Sequence, residues 1–325
     1  MNTNLDQVTK LTPNFVLPTV SQEEQIPAPI PPIRQFRPPQ IGDEIEFNGN
    51  VYRLGQEIGR GSFAYAFECT DTWGTELVAK VIQPCGRSYE QVKSDWQRER
   101  DNLLYLRHPN ITYVHEAFEC DDTFYIILER CSMTLASLIT GQNFNADIWL
   151  MPIAKSILTG LSFIHTKGFV HKDLHIGNVY TTFVKDELVP TEFATKFKIG
   201  DLGISKLTQH VRPVNSVMAD WITPPECINP NEFGAFGKTS DVFHAALLLL
   251  SVLAKSPLQF THEEMLLGRP RILAEAINSK YSPAISRALR RHTIYRTPTA
   301  MEFWRDLQFC HSGDALKMPP SSIGN

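Results

Sequence analysis

The stretch FVHKDLHIGNVY, residues 169–180, poses the question that decides how the chain is read. Between apolar flanks it packs two imidazoles, His171 and His175, with Lys172, Asp173 and Asn178. A carboxylate can take the proton of an attacking hydroxyl, and an amide oxygen can ligate a hard cation. Aspartate is also common in turns for conformational reasons alone. The loop therefore has to be weighed with the sequence around it.

The bulk properties narrow the field. The chain has 325 residues, enough for one large domain or two coupled lobes. Apolar residues make up 42% and charged residues 20%, an ordinary globular balance. A formal net charge of −4 gives no reason to expect a nucleic-acid partner. Cysteines 69, 85, 120, 131, 227 and 310 are scattered without a CxxC pair. That spacing argues against a zinc site and a disulfide framework, and fits a reducing, cytoplasmic compartment. A secreted effector without a cleavable signal would look the same, since residues 1–20 lack a basic start followed by an apolar run. The longest apolar run, AALLLLSVLA at 245–254, falls well short of the roughly 20 residues that span a bilayer. It is expected to be a buried helix, and no membrane span is expected.

Three regions follow from local pattern. Residues 1–46 are read as an extended or disordered arm. Its segment IPAPIPPIRQFRPPQ carries Pro27, Pro29, Pro31, Pro32, Pro38 and Pro39, which disfavour helix and central strand alike. Such an arm is either a solvated tail or a docking segment for a partner. From about 47 to 131 the chain is strand-rich, with YRLGQEIG, TELVAKVI and TFYIILE as strands. One helix interrupts them, with Val92, Trp96, Glu99, Leu103 and Leu106 at helical spacing. From about 132 to 310 the pattern is helical, as in Ile153, Ile157, Leu161 and Ile164 on one face. Residues 311–325 are read as a tail.

Working outward from the opening loop, three more stretches carry chemistry. In EIGRGSFAYAF, 57–67, Gly59 and Gly61 let a hairpin approach a ligand with no Cβ between them, although a lone GxG can be a plain turn. In ELVAKVI, strand alternation puts Lys80 on one face with Val78 and Ile82. A lysine there needs a partner. Glu99, an acid on an apolar helical stripe, needs a cation. Either alone could be a snorkelling surface side chain; together they point to a buried ion pair that aims the lysine at phosphate. In FKIGDLGISK, an apolar strand ends at Asp201, a position suited to a Mg²⁺ ligand.

Taken in order, GxG, Lys80, Glu99, His-Lys-Asp-(x4)-Asn and Asp-Leu-Gly resemble the eukaryotic-type protein kinase catalytic domain, over roughly residues 50–310. The resemblance implies an α+β, bilobal protein-kinase-like fold: a small antiparallel β-sheet lobe with one helix, and a larger, mainly α-helical lobe. It implies a kinase that moves the γ-phosphate of ATP to protein hydroxyls, most simply Ser/Thr, with Mg²⁺ or Mn²⁺ as the metal. The nucleotide site would comprise Ile58, Gly59, Gly61, Ser62, Phe63, Ala66, Ala79 and Lys80. Leu128 would be the gatekeeper, Glu129 to Cys131 the hinge, and Tyr180 the floor. Asp173 would be the catalytic base, with Lys80, Glu99 and His175 completing the catalytic set and Asn178 and Asp201 the metal ligands. Glu226 in TPPE would pair with Arg296 in RTPTAMEF, and Asp241 would hold the catalytic loop.

The sequence also departs from the family. Ala64 replaces the third glycine, Leu202 the usual Phe, and Lys172 an Arg whose forked contact Lys cannot reproduce. Dependence on phosphorylation of the 204–222 segment, with Ser205, Thr208 and Ser216, is therefore expected to be weaker. His175 stands where Ser/Thr kinases carry Lys. With a reference pKa of ~6.5 it would be mostly neutral at pH 7, a donor weaker by roughly 1–2 kcal/mol. Ala219 and Ile222 replace the usual Thr and Tyr of the substrate-docking loop, which leaves Ser/Thr against Tyr open. Two alternatives remain. One is a pseudokinase scaffold, drawn from Ala64, His175 and Tyr180. The other is a small-molecule phosphotransferase of the aminoglycoside or choline type, drawn from the wording DLHxGN.

Overall fold

The computed structural model describes residues 36–61, 63–185, 193–202, 206–207 and 220–313. Its first half is built on six strands: β1 (Glu44–Phe47), β2 (Asn50–Arg60), β3 (Ala64–Thr70), β4 (Glu76–Ile82), β5 (Val114–Cys120) and β6 (Thr123–Glu129). All neighbours are antiparallel, in the order β1-β2-β3-β4-β6-β5. Period-two alternation decides what each strand buries. On β6, Tyr125 and Ile127 join Tyr52, Leu54, Phe67, Ala79 and Val81 in one cluster. Phe124 and Ile126, on the opposite face, join the helix side with Val92, Trp96 and Leu103.

That helix, α1 (Tyr89–Tyr105), starts at Ser88 in a reciprocal capping box with Gln91. All five residues of the expected stripe are buried, Glu99 included. Trp96 adds a hydrogen bond from its indole Nε1 to the Tyr125 carbonyl at 3.0 Å, which pins α1 to the sheet.

The second half begins with β7 (Met133–Thr134), α2 (Leu135–Ile139) and α3 (Ala146–Thr166), followed by β8 (Phe169–Val170), β9 (Val179–Lys185), β10 (Phe193–Ile199) and β11 (Lys206–Leu207). Helices α4 (Pro225–Ile228), α5 (Pro230–Phe233), α6 (Lys238–Ala254), α7 (His262–Leu266), α8 (Arg269–Ala276), α9 (Ser282–Ala288) and α10 (Ala300–Ser312) complete it. Ile153, Ile157, Leu161 and Ile164 of α3 are all buried, as is every residue of α6 from Ser240 to Val252. Among the described residues α3 alone is long and apolar enough, by length and composition, to cross a membrane. Here its stripe packs into the same core as α6 and α10.

Three differences from the sequence reading stand out. The strands β1, β3 and β5 join the three expected ones. The arm read over 1–46 stops short of 46, because Glu44–Phe47 pairs with β2 and Phe36 packs on the sheet cluster. The tail read from 311 begins later, since α10 includes His311 and Ser312. Residues 186–192 between β9 and β10, and Ser205, Thr208, Ser216 and Ala219, lie outside the described residues.

Candidate active site

The catalytic loop follows β8, and its shape is dictated from below by Asp241. That carboxylate is fully buried and accepts from the backbone nitrogens of His171 (2.8 Å) and Lys172 (2.9 Å), and from His165 Nε2 (2.8 Å). Burial alone would push Asp241 up; the hydrogen bond from His165 and the surrounding imidazoles outweigh it and hold the carboxyl below the usual range. The grip sustains a left-handed Lys172, φ 78°, a conformation residues with a Cβ rarely adopt. His171 Nε2 in turn lies 3.0 Å from the Gly200 carbonyl, which ties this loop to the end of β10.

Asp173 and Asn178 come together as expected. Asn178 Nδ2 donates to the Asp173 carbonyl at 2.9 Å and to Oδ2 at 3.3 Å. Asp173 Oδ1 is buried with no hydrogen-bond partner among the described residues. Such an acceptor is costly unless a ligand completes it. With its nitrogen committed to Asp173, the atom Asn178 can offer a cation is Oδ1.

Lys80, Glu99 and Asp201 form the second grouping. Lys80 Nζ lies 2.6 Å from Glu99 Oε1 and 3.0 Å from Asp201 Oδ1. Burial pulls the ammonium down, but Asp201 and Glu99 more than compensate and hold it well above its ordinary value, so it stays charged. Asp201 has φ 55°. Next to it, the carbonyl of buried Leu202 accepts from Asn102 Nδ2 of α1 at 3.1 Å, so Leu202 keeps this corner attached to the helix that carries Glu99.

The nucleotide set assembles through strand register. Gly59 pairs with Ala66, Ala66 with Lys80 and Leu128 with Val78, all on the Lys80 face. Ala79, expected in this set, pairs with Ile127 and is buried on the opposite face with Tyr52, Leu54 and Phe67, because alternation along β4 turns it away from Lys80. A Cβ at Gly59 or Gly61 would meet its nearest neighbour at an ordinary 3.7 or 3.6 Å. Neither glycine is demanded by the fold, which leaves room at that position for a ligand. Phe63 is anchored at the loop tip: its carbonyl accepts from Gln83 N at 2.8 Å and its ring lies 4.9 Å from the Arg87 guanidinium. Ile58 on β2 is exposed, and Ser62 lies outside the described residues. In the hinge, the Glu129 carboxylate accepts from Lys198 Nζ at 2.6 and 2.8 Å and from Tyr113 N at 2.6 Å. It braces the hinge, and the main chain is what remains for a ligand. Burial pushes the neighbouring Cys131 thiol up to about 12, with Glu129 adding to it, which makes it a poor nucleophile. Burial, then Asp201, also raises the Tyr180 phenol.

His175 is half-buried. Gly177 N donates to its Nδ1 at 3.0 Å, so Nε2 carries the proton, 3.8 Å from Asp173 Oδ2. Burial holds the imidazole below its usual value, which keeps it neutral at pH 7. One neighbour was not foreseen: the Trp221 ring meets His175 edge-on, centroids 5.0 Å apart at 69°. Across the lower lobe, Arg296 and Glu226 pair as expected, 2.7 and 2.9 Å through two parallel bonds, both wholly buried.

Among the described residues no cluster of three or more His, Cys, Asp or Glu side chains can hold a metal on its own. Asn178 and Asp201 fit a cation that takes most of its oxygens from a phosphate ligand and water, as Mg²⁺ does.

Fold and site together define a bilobal domain of the protein kinase type. A family model described as the protein kinase domain matches residues 52–301, and the chain belongs to that family. It is 28% identical over 204 residues to a probable serine/threonine-protein kinase of Encephalitozoon cuniculi, covering 63% of this chain and 36% of that one. It is 30% identical over 231 residues to calcium-dependent protein kinase 24 of Arabidopsis thaliana, covering 70% and 37%. It is also 27% identical over 216 residues to the inactive serine/threonine-protein kinase PLK5 of Mus musculus, covering 65% and 34%. The chain thus spans about a third of the length of these curated relatives.

Proposed function

We propose that this chain is an active protein kinase that transfers the γ-phosphate of ATP to serine or threonine hydroxyls of proteins. The observation that carries the reading is Asp173. One of its oxygens is held by Asn178, and the other is buried without a partner among the described residues. That is the geometry of an acceptor waiting for a hydroxyl proton.

Each residue then has a task. Asp173 Oδ1 orients the acceptor hydroxyl and receives its proton. Lys80, kept charged and fixed by Glu99, aims the phosphates, and the Gly59–Gly61 backbone covers them. Asn178 Oδ1 and the Asp201 carboxylate would hold a divalent ion, Mg²⁺ or Mn²⁺, which supplies charge neutralisation at the phosphate oxygens when bound. Ile58, Ala66, Leu128 and Tyr180 enclose the base, with Val78 on the Lys80 face where the sequence reading had put Ala79, and the hinge main chain from Glu129 to Cys131 binds its edge. His175 contributes a neutral donor.

The pseudokinase alternative, drawn from Ala64, His175 and Tyr180, gains the inactive relative. Against it, Lys80, Glu99, Asp173, Asn178 and Asp201 are all present and assembled. The buried Glu226–Arg296 pair weighs against the small-molecule alternative. Residence in the cytoplasm and docking of a partner on the Pro-rich arm are further proposals, resting on cysteine usage and proline content.

The test is transfer from labelled ATP with divalent metal to a generic protein acceptor, wild type against Asp173→Ala, with phosphosites mapped by mass spectrometry. Transfer to Ser/Thr that falls about 10²–10⁴-fold in the variant, with nucleotide binding retained, supports the reading. Nucleotide binding without transfer by the wild type would sink it.

A further inference from the structure

His244 lies one turn beyond Asp241 on α6 and is completely buried. Its Nε2 is 3.1 Å from the carbonyl oxygen of Ile222. A carbonyl can only accept, so Nε2 carries the proton and Nδ1 is bare. Nδ1 is buried, has no hydrogen-bond partner among the described residues, and faces Asp241 Oδ1 at 4.0 Å. Two acceptors therefore look at each other inside the core. An apolar residue would avoid this, since an unsatisfied buried nitrogen is destabilising. What the imidazole gains in exchange is one bond to the chain at Ile222.

Ile222 closes the short 3₁₀ turn Asp220–Ile222. Trp221, the middle residue of that turn, packs edge-on against His175, and His175 Nε2 lies 3.8 Å from Asp173 Oδ2. One turn of α6 thus grips two things. Asp241 takes the backbone of the catalytic loop, and His244 takes the turn that seats Trp221. The groups assigned to nucleotide stand on other elements: Lys80 on β4, Glu99 on α1 and Tyr180 on β9.

We propose that His244 is a positioning residue for the protein acceptor. By fixing the Ile222 carbonyl it sets Trp221 against His175 as one wall of the place where the hydroxyl meets Asp173. The nucleotide side is untouched. This inference rests on the kinase reading above.

The experiment uses the full chain with His244→Leu, His244→Gln and Trp221→Ala. Leu has no donor, whereas the Gln side chain can place an N–H near Nε2. Steady-state kinetics are run separately in acceptor protein and in ATP, with a urea midpoint for each variant. His244→Leu is expected to lower kcat/KM for the acceptor about tenfold, with KM for ATP and the urea midpoint unchanged or the midpoint raised. His244→Gln restores at least half of that loss. Trp221→Ala, at a partly buried ring on the edge of the core, reproduces the acceptor-selective loss and keeps the test alive if the Leu variant does not fold. Wild-type acceptor kinetics in His244→Leu or in Trp221→Ala overturn the inference while the kinase reading stands. So does a loss shared equally by ATP and acceptor, with a lowered midpoint in both His244 variants. A wild type that transfers no phosphate removes the kinase reading, and this inference with it.

Discussion

Gly200, just before Asp201, is a glycine the fold requires. A Cβ there would stand 2.4 Å from Cε2 and 2.9 Å from Cδ2 of Tyr180, and 3.4 Å from Cγ2 of Thr112. The obstacle is the flat of a rigid ring, which cannot yield as a flexible side-chain end would. Gly200→Ala is therefore expected to lose about 1–3 kcal/mol of stability by overpacking. Adding Tyr180→Leu should recover most of that loss, and a urea-denaturation double-mutant cycle gives the coupling. Additive losses would show that the ring and the glycine do not share the space. At this scale the sequence announced the residues but not their neighbours. Tyr180 and His175 were visible as departures from the family pattern. Their contacts, with Gly200 and Trp221, depend on chain paths that run 20 and 46 positions further on. No local periodicity encodes such a meeting.

Among elements, the buried pair that joins α4 to the stretch ahead of α10 is the strongest long-range tie. Arg296 donates to both Glu226 oxygens and also to the carbonyls of Arg290, Arg291 and Thr239. Burial pushes Glu226 up, but Arg296 outweighs it and keeps the carboxyl below its usual range. Replacing Arg296 with Met strands a buried charge and three carbonyls. A loss of about 3–5 kcal/mol is expected by chemical denaturation. Less than about 1 kcal/mol would mean that water reaches the site and replaces the guanidinium. This tie was legible because both ends lie in recognisable wording. The sheet was legible only in part. Strands β2, β4 and β6 carry dense apolar runs, whereas β5 holds His115, Glu116 and Glu119 and breaks its register between Val114 and Glu116. A bulge of this kind shifts the period-two alternation on which a strand is recognised. Strand β1 was hidden differently, since the prolines before it at 38 and 39 made the whole approach read as an arm.

For the whole molecule, the two lobes followed from the sequence, because each motif sits at an element boundary where backbone and chemistry are constrained together. The buried histidines' effect on stability did not, since it depends on burial. His244 is held below its ordinary 6.5 by burial, partly opposed by Asp241, Asp173 and Glu226. Burial does the same to His108, and to His115 against Glu129 and Asp71. As pH falls through about 6.5, the unfolded chain binds protons that the folded chain refuses, so stability must fall with pH. The depressed carboxyls of Asp241 and Glu226 act in the same direction, but only as pH drops below their ordinary values of 3.8 and 4.5. Acid destabilisation should therefore begin about two pH units above the carboxylate range. A fully buried imidazole contributes a slope of up to about 1.4 kcal/mol per pH unit; the part-exposed His108 and His115 contribute less. Urea unfolding free energies at about pH 7.5, 6.5 and 5.5 should decline for the wild type and decline less steeply for His244→Leu. A wild type with flat stability across that range, or a His244→Leu variant equally steep, would show that the imidazole at 244 is protonated in the fold. Its Nδ1 would then donate to Asp241, and the unsatisfied contact in the core would not exist.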